Sequence, residues 1–215
     1  MLYCMEIYWL GHGCFRLRGR DATVLMDPCP PSTGYKIGKV PADVVTISRN
    51  HPDSNHRDAA TGEPKFIDRP GEFEVQGVLV TGMATDESDR EDGYSRNISY
   101  VADIDDIRVC HLGDVQQVPT GDEVEELTCD ILLIPVGGGR VLNAEKAAEI
   151  VSLLEPKIVI PMLYKTDASK EDFQPVDRFI KEMGSEAKAP EQRLNINRSG
   201  LPHDTTLVLL NYRGA

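Results

Sequence analysis

The chain has 215 residues, 40% of them apolar and 27% charged, the balance of a globular protein with room for a sizeable core. With 23 Lys and Arg against 35 Asp and Glu, its formal charge of −12 repels phosphate backbones and anionic membranes, and no basic run offsets this. No apolar stretch approaches the roughly 18 residues of a membrane span, and the N-terminus carries Glu6 early and lacks the basic and apolar regions of a signal peptide. A cytoplasmic protein with one domain over residues 1–215 is expected, with a small molecule or a protein as its partner, no nucleic acid and no membrane.

Short apolar runs separated by turns predict strands over Met5–Leu10 and Cys14–Leu17, on either side of a Gly-His-Gly turn, and over Ala22–Met26, which ends at Asp27-Pro28. Asp43–Ser48 reads as a short strand buried on both faces that stops at the polar cluster RNHPDSNH. Lys65–Ile67, Phe73–Val75, Val78–Thr81, Ile98–Ile104 and Ile107–Leu112 continue the strand pattern, with Asp86–Arg96 as a charged, solvated loop. Glu72 and Glu74 alternate with apolar residues and are expected on an exposed strand face.

The second half is different. The buried strand Ile131–Val136 is followed by Gly137–Gly139, then by a helix over Ala144–Leu154 that Asn143 can cap and that carries Ala147, Ile150, Val151 and Leu154 as one apolar stripe. With the strand Lys157–Met162 this is a βαβ unit. A further helix over Val176–Met183 ends at Gly184, and Thr205–Leu210 is the last strand. The cysteines Cys4, Cys14, Cys29, Cys110 and Cys129 form no Cys-x-x-Cys pair, which points to neither a zinc ribbon nor a disulfide framework. Gly137–Gly139 lacks the lysine and the Ser/Thr of a phosphate loop and reads as a strand-to-helix turn, and no nucleophile elbow is present.

Polar residues directly after buried strands are candidates for a site, because strand ends hold side chains on rigid supports. Arg49–His56, His111–Asp114 and Leu163–Asp167 stand in such places. The first brings His51, Asp53 and His56 within six residues, a mixture of imidazole and carboxylate suited to zinc, manganese or iron. The alternative is a polar loop whose side chains cap neighbouring backbone.

The pieces WLGHGCF, VLMDP, ADVVTISRNHPDSNH, PGEFEVQGV, CHLGD, LLIPVGG and EPKIVIPMLYKT resemble the metallo-β-lactamase superfamily, in its branch of small zinc-dependent hydrolases and ascorbate-phosphate lactonases. The resemblance implies an α/β fold, a four-layer αββα sandwich, with a di-metal site at the strand ends. It also implies a His-x-His-x-Asp-His run, which falls here on Arg49, His51, Asp53 and Ser54, so that only His51 and Asp53 match. A further family histidine would fall near Thr85–Ser88, where there is none. The bridging aspartate is Asp114, and the last histidine is replaced by Leu163.

Three of the seven implied ligands remain. Leucine cannot ligate a metal, and an arginine cannot lose its proton to do so. Arg49 is therefore expected as a cation that replaces the metal by pairing with Asp53 or Asp114. The preferred reading is a non-catalytic descendant of the hydrolases, without a cofactor and with a binding or assembly role. The alternative is a hydrolase of a phosphoester, lactone or other ester with one Zn or Mn ion on His51, Asp53, Asp114 and His56, in which Asp53 helps to position the attacking water. In that version Glu87 is a further candidate oxygen ligand. His12 and His111 are expected as supporting groups, His203 as inert, and the resemblance allows a homo-oligomer.

Overall fold

The computed structural model describes residues 4–85, 96–186 and 188–212. The strands are β1 (Met5–Gly11), β2 (Cys14–Arg18), β3 (Thr23–Met26), β4 (Val40–Pro41), β5 (Val44–Thr46), β6 (Ala60–Thr61), β7 (Lys65–Ile67), β8 (Gly71–Val75), β9 (Val78–Thr85), β10 (Asn97–Ile104) and β11 (Ile107–His111). Helix α1 (Asp122–Glu126), β12 (Ile131–Pro135), α2 (Ala144–Leu154), β13 (Ile158–Met162), α3 (Asp177–Glu182), β14 (Leu194–Ile196) and β15 (Thr206–Leu207) complete the series.

They form a six-stranded sheet in the order β14-β1-β2-β3-β5-β7, a seven-stranded sheet in the order β15-β13-β12-β11-β10-β9-β8, and the small pair β4-β6. Side-chain alternation explains how the first sheet is used. Ile7, Trp9, Val24, Met26 and Val44 point to one face and join Val80, Tyr100, Val109 and Leu133 of the second sheet in the main core. Tyr8, Leu10, Leu25 and Val45 point to the other face and pack with Tyr35, Ile37 and Val40.

On the outer side of the second sheet, β12, α2 and β13 make the expected parallel βαβ unit, with Ala147, Ile150, Val151 and Leu154 turned inward. Asn143 caps α2 by accepting from the Lys146 N–H at 2.9 Å. The αββα sandwich is thus present, but the layer outside the six-stranded sheet consists of loops, 3-10 turns at Pro31–Thr33 and Arg57–Ala59, and the β4-β6 pair.

Most expected strands stand within two residues of their expected bounds. Two do not: β9 extends to Thr85, and the final strand is only Thr206–Leu207, with Leu210 bridging separately to Glu191. The charged segment Asp86–Arg96 lies outside the described residues apart from Arg96, which is exposed. Glu72 and Glu74 are exposed as expected, and all five cysteines are free, four of them buried. Among the described residues no helix is long and apolar enough to cross a membrane.

Candidate functional site

The parallel strands β5, β11, β12 and β13 end on the same side of the molecule, and the β1–β2 turn reaches them there. After β5 the chain closes a tight turn: the His51 N–H donates to the Arg49 carbonyl at 2.8 Å, and the Ser54 N–H donates to the His51 carbonyl at 3.1 Å. Ser54 Oγ also donates to the Arg49 carbonyl at 3.1 Å, so the residue at this implied ligand position serves the turn.

After β11, Gly113 adopts φ +64°, and a Cβ there would lie 2.4 Å from Asn97 Oδ1. Only glycine suits so close an approach. The same Asn97 oxygen accepts from the Asp114 N–H at 2.8 Å and fixes that residue. Leu163, 2% exposed, packs into the main core where the resemblance implies a histidine.

The centre of the site is Arg140, which follows β12 and the turn Gly137–Gly139. Gly138 and Gly139 both adopt φ near +70° (69° and 67°), and the Gln116 side chain donates to the Arg140 carbonyl at 2.7 Å. The guanidinium donates through Nη1 to Asp114 Oδ2 and through Nη2 to Asp53 Oδ2, both in close contact. Its Nη2 lies 3.1 Å from His12 Nε2, and its Cζ lies 5.6 Å from the centre of the Phe173 ring. Arg49 approaches from below, fully buried, and its Nη1 donates to Asp114 Oδ2 at 3.3 Å.

Two carboxylates, 7% and 3% exposed, are therefore matched by two guanidinium groups. Burial would raise the Asp53 carboxyl, but the hydrogen bond from His12 and the charges of Arg140, His12 and His51 outweigh it and hold Asp53 well below the usual carboxylate range. Arg140 is desolvated too, yet the charges of Asp114, Asp53 and Glu171 keep it more firmly protonated than usual.

Asp53 is the hub of the first turn. His12 Nε2 lies 3.2 Å from its Oδ2, and His51 Nδ1 is in close contact with its Oδ1. A carboxylate stabilised in this way is a weak base, which suits an ion-pair partner better than the water-positioning role expected for it.

Behind this cluster Asp27, 3% exposed, accepts from the Ser48 N–H at 2.7 Å and from Ser48 Oγ. Burial, reinforced by the charges of Asp114 and Asp53, drives its carboxyl well above the ordinary range in spite of those bonds. His111 lies beside it, with Nδ1 4.0 Å from Asp27 Oδ2. Its Nε2 donates to the Gly13 carbonyl at 2.8 Å and its Nδ1 accepts from the Gly113 N–H at 3.1 Å, which defines a neutral ring. Burial pushes this imidazole down to about 4.

Of the residues expected from sequence, the structure brings together Arg49, His51, Asp53, Asp114 and His12. His111 bonds to the β1–β2 turn and to the loop after β11 and holds the two in register. Arg49 pairs with Asp114, but it is not the main cation: Arg140 contacts both aspartates, and sequence reasoning missed it. The available signal was a lone arginine after three glycines at a strand end, which a search for a phosphate loop passes over. His56 is half-buried, its N–H donates to the Pro28 carbonyl, and its side chain makes no bond to Asp53 or Asp114, because the turn that Ser54 closes carries it away. His203 is exposed and pairs with Asp204. At the remaining implied histidine position, Thr85 bonds to Ser99 and Asn97, while residues 86–88, Glu87 included, lie outside the described residues.

The donor set does not fit the metal centre that the fold implies. Arg49, Ser54 and Leu163 stand at ligand positions, a guanidinium lies between the surviving aspartates, and among the described residues no three His, Cys, Asp or Glu are placed to hold an ion.

The model of the β-lactamase superfamily domain matches residues 6–163. A crystal structure from Thermotoga maritima, described as a proposed Zn-dependent hydrolase of the metallo-β-lactamase superfamily, shares 37% identity over 97% of this chain and 100% of that one, with a TM-score of 0.80. A UPF0173 protein of Pyrococcus furiosus is 29% identical over 195 residues, 79% of this chain and 89% of its own. A UPF0173 metal-dependent hydrolase of Thermoplasma volcanium is 29% identical over 78% and 87% respectively. These names favour the expectation of a metal-dependent hydrolase over that of a non-catalytic descendant, and a metal over none. The fold, the order of its motifs and these likenesses agree on one point: the chain belongs to the metallo-β-lactamase superfamily.

Proposed function

We propose that this chain keeps the hydrolase scaffold for binding, with arginine in place of the metal centre. One observation carries the reading: the two surviving ligand aspartates are both engaged by Arg140, with Arg49 on Asp114 as well. A divalent cation at that place would face two fixed positive charges at short range, and a low dielectric magnifies the repulsion. The partner is a small molecule or a protein, and the charge of −12 disfavours nucleic acid and anionic membranes.

Elemental analysis of untagged protein, purified and dialysed against metal-free buffer, tests this reading together with melting in the presence of a chelator. The expected result is metal below about a tenth of an ion per chain and an unchanged melting point, since only a ligand of the native state stabilises it. About one ion per chain with a melting point that falls in chelator overturns the reading.

The names of the relatives favour a second reading, a metal-dependent hydrolase of a phosphoester, lactone or other ester with one Zn or Mn ion. That enzyme needs the Arg140 guanidinium to leave the aspartates. Turnover in an ester and phosphoester screen that depends on added Zn or Mn would establish it.

A further inference from the structure

Three polar atoms from three separate elements surround one guanidinium: His12 Nε2 from the β1–β2 turn, Asp53 Oδ2 from the turn after β5, and Asp114 Oδ2 from the loop after β11. One imidazole and two carboxylates form a donor set that divalent cations accept, provided that water completes the shell. His12 was expected only to support the site, yet its ring is 3% exposed and its Nδ1 is buried without a hydrogen-bond partner among the described residues.

Arginine fills this place differently from a metal. Its two terminal nitrogens divide the carboxylates, Nη1 serving Asp114 and Nη2 serving Asp53 beside His12, so the three atoms stand around a planar group and not around a point. The side chain reaches them from a turn with two glycines at positive φ, and Phe173 flanks its guanidinium.

We infer that the Arg140 guanidinium is the resident cation of this centre and is itself the group that keeps a divalent ion away from His12, Asp53 and Asp114. This rests on the proposed replacement of metal by arginine and adds which residue enforces it.

Calorimetric titration with ZnCl2 and MnCl2, with melting curves alongside, tests the inference on four full-length proteins: wild type, Arg140→Ala, Arg140→Gln and Arg49→Ala. Arg140→Ala and Arg140→Gln should take up about one ion per chain at least about tenfold more tightly than wild type, with a matching rise in melting point. Arg49→Ala, which removes the second charge but retains Arg140, should gain far less affinity than the Arg140 variants, and its melting point, already below that of wild type, should not rise with metal. Adding His12→Ala to Arg140→Ala should abolish the gain, which ties it to this donor set.

Folded Arg140 variants that bind no more metal than wild type overturn the inference and leave the proposed function standing. Tight binding by wild type overturns both. If Arg140→Ala does not fold in metal-free buffer, refolding with and without Mn reads the same point: recovery only with the ion supports the inference, and no recovery of either variant overturns it.

Discussion

Asp53 and Asp27 lie at the same end of the sandwich, 7% and 3% exposed, and their carboxyl groups are driven in opposite directions. Burial pushes both upward. Asp53 has Arg140, His12 and His51 around it and stays ionised, whereas Asp27 has the neutral Ser48 hydroxyl and N–H and is driven well above the ordinary range. The difference shows that neighbouring cations, not burial, set the direction in which a carboxyl at this end shifts. Asp53 and its neighbour Asp114 face the strand ends where the resemblance implies the metals, and Asp27 lies behind them among groups that hold the loops together.

The comparison breaks most sharply at Arg49, which is fully buried beneath Asp114. Arg49→Ala should lower stability by about 3–5 kcal/mol in urea unfolding, because Asp114 loses a buried partner. Arg140 is about a quarter exposed, at 24%, so water replaces part of what it supplies. Arg140→Ala in metal-free buffer should cost less, about 2–3 kcal/mol. An Arg140→Ala loss larger than that of Arg49→Ala would reverse the assignment of the buried charge.

The other side of the comparison is read by pH. The folded-state value of His111, about 4, lies below its ordinary 6.5, so the unfolded chain binds the extra proton between those values. Stability should therefore fall as pH drops from about 6.5 towards 4, by up to about 2–3 kcal/mol from this group. His111→Gln should flatten that part of the profile. Asp27 has the opposite sign: its raised value adds stability in acid, which is lost as pH rises through the folded-state value. Asp27→Asn keeps an acceptor for the Ser48 N–H and should change neutral-pH stability by no more than about 1 kcal/mol. A loss of several kcal/mol would show that Asp27 works as an anion.

The legibility of these regions in sequence differs for physical reasons. Helix α2 has its expected bounds because a cap, an apolar stripe and a following Pro156 act together on eleven residues. The two-residue strands β4 and β6, and α1 with its sequence DEVEE, carry no periodicity long enough to read. In the site, Asp53, Asp114 and Arg49 were legible because they occupy motif positions after buried strands. Arg140 was not, since its role depends on a guanidinium reaching across from β12 to two other strand ends, a relation no local pattern encodes. Asp27 stood in plain view in VLMDP, but its raised carboxyl follows only from the three-dimensional burial behind the pair.

The mildest test concerns how Arg140 is held. Asn143 lies three residues after it and accepts from the Lys146 N–H, which fixes the first turn of α2 and with it the end of the loop that carries the guanidinium. Gly138 N–H donates to the Leu142 carbonyl at 2.8 Å across the same loop. Asn143→Ala removes one cap and should cost about 1 kcal/mol, the usual loss at such a position. If the loop is held mainly by the ion pairs, the coupling between Asn143→Ala and Arg140→Ala in a double-mutant cycle should be below about 0.5 kcal/mol. A larger coupling would mean that the helix start holds the guanidinium in place, and that the cation position is built by the βαβ unit as much as by the aspartates that it faces.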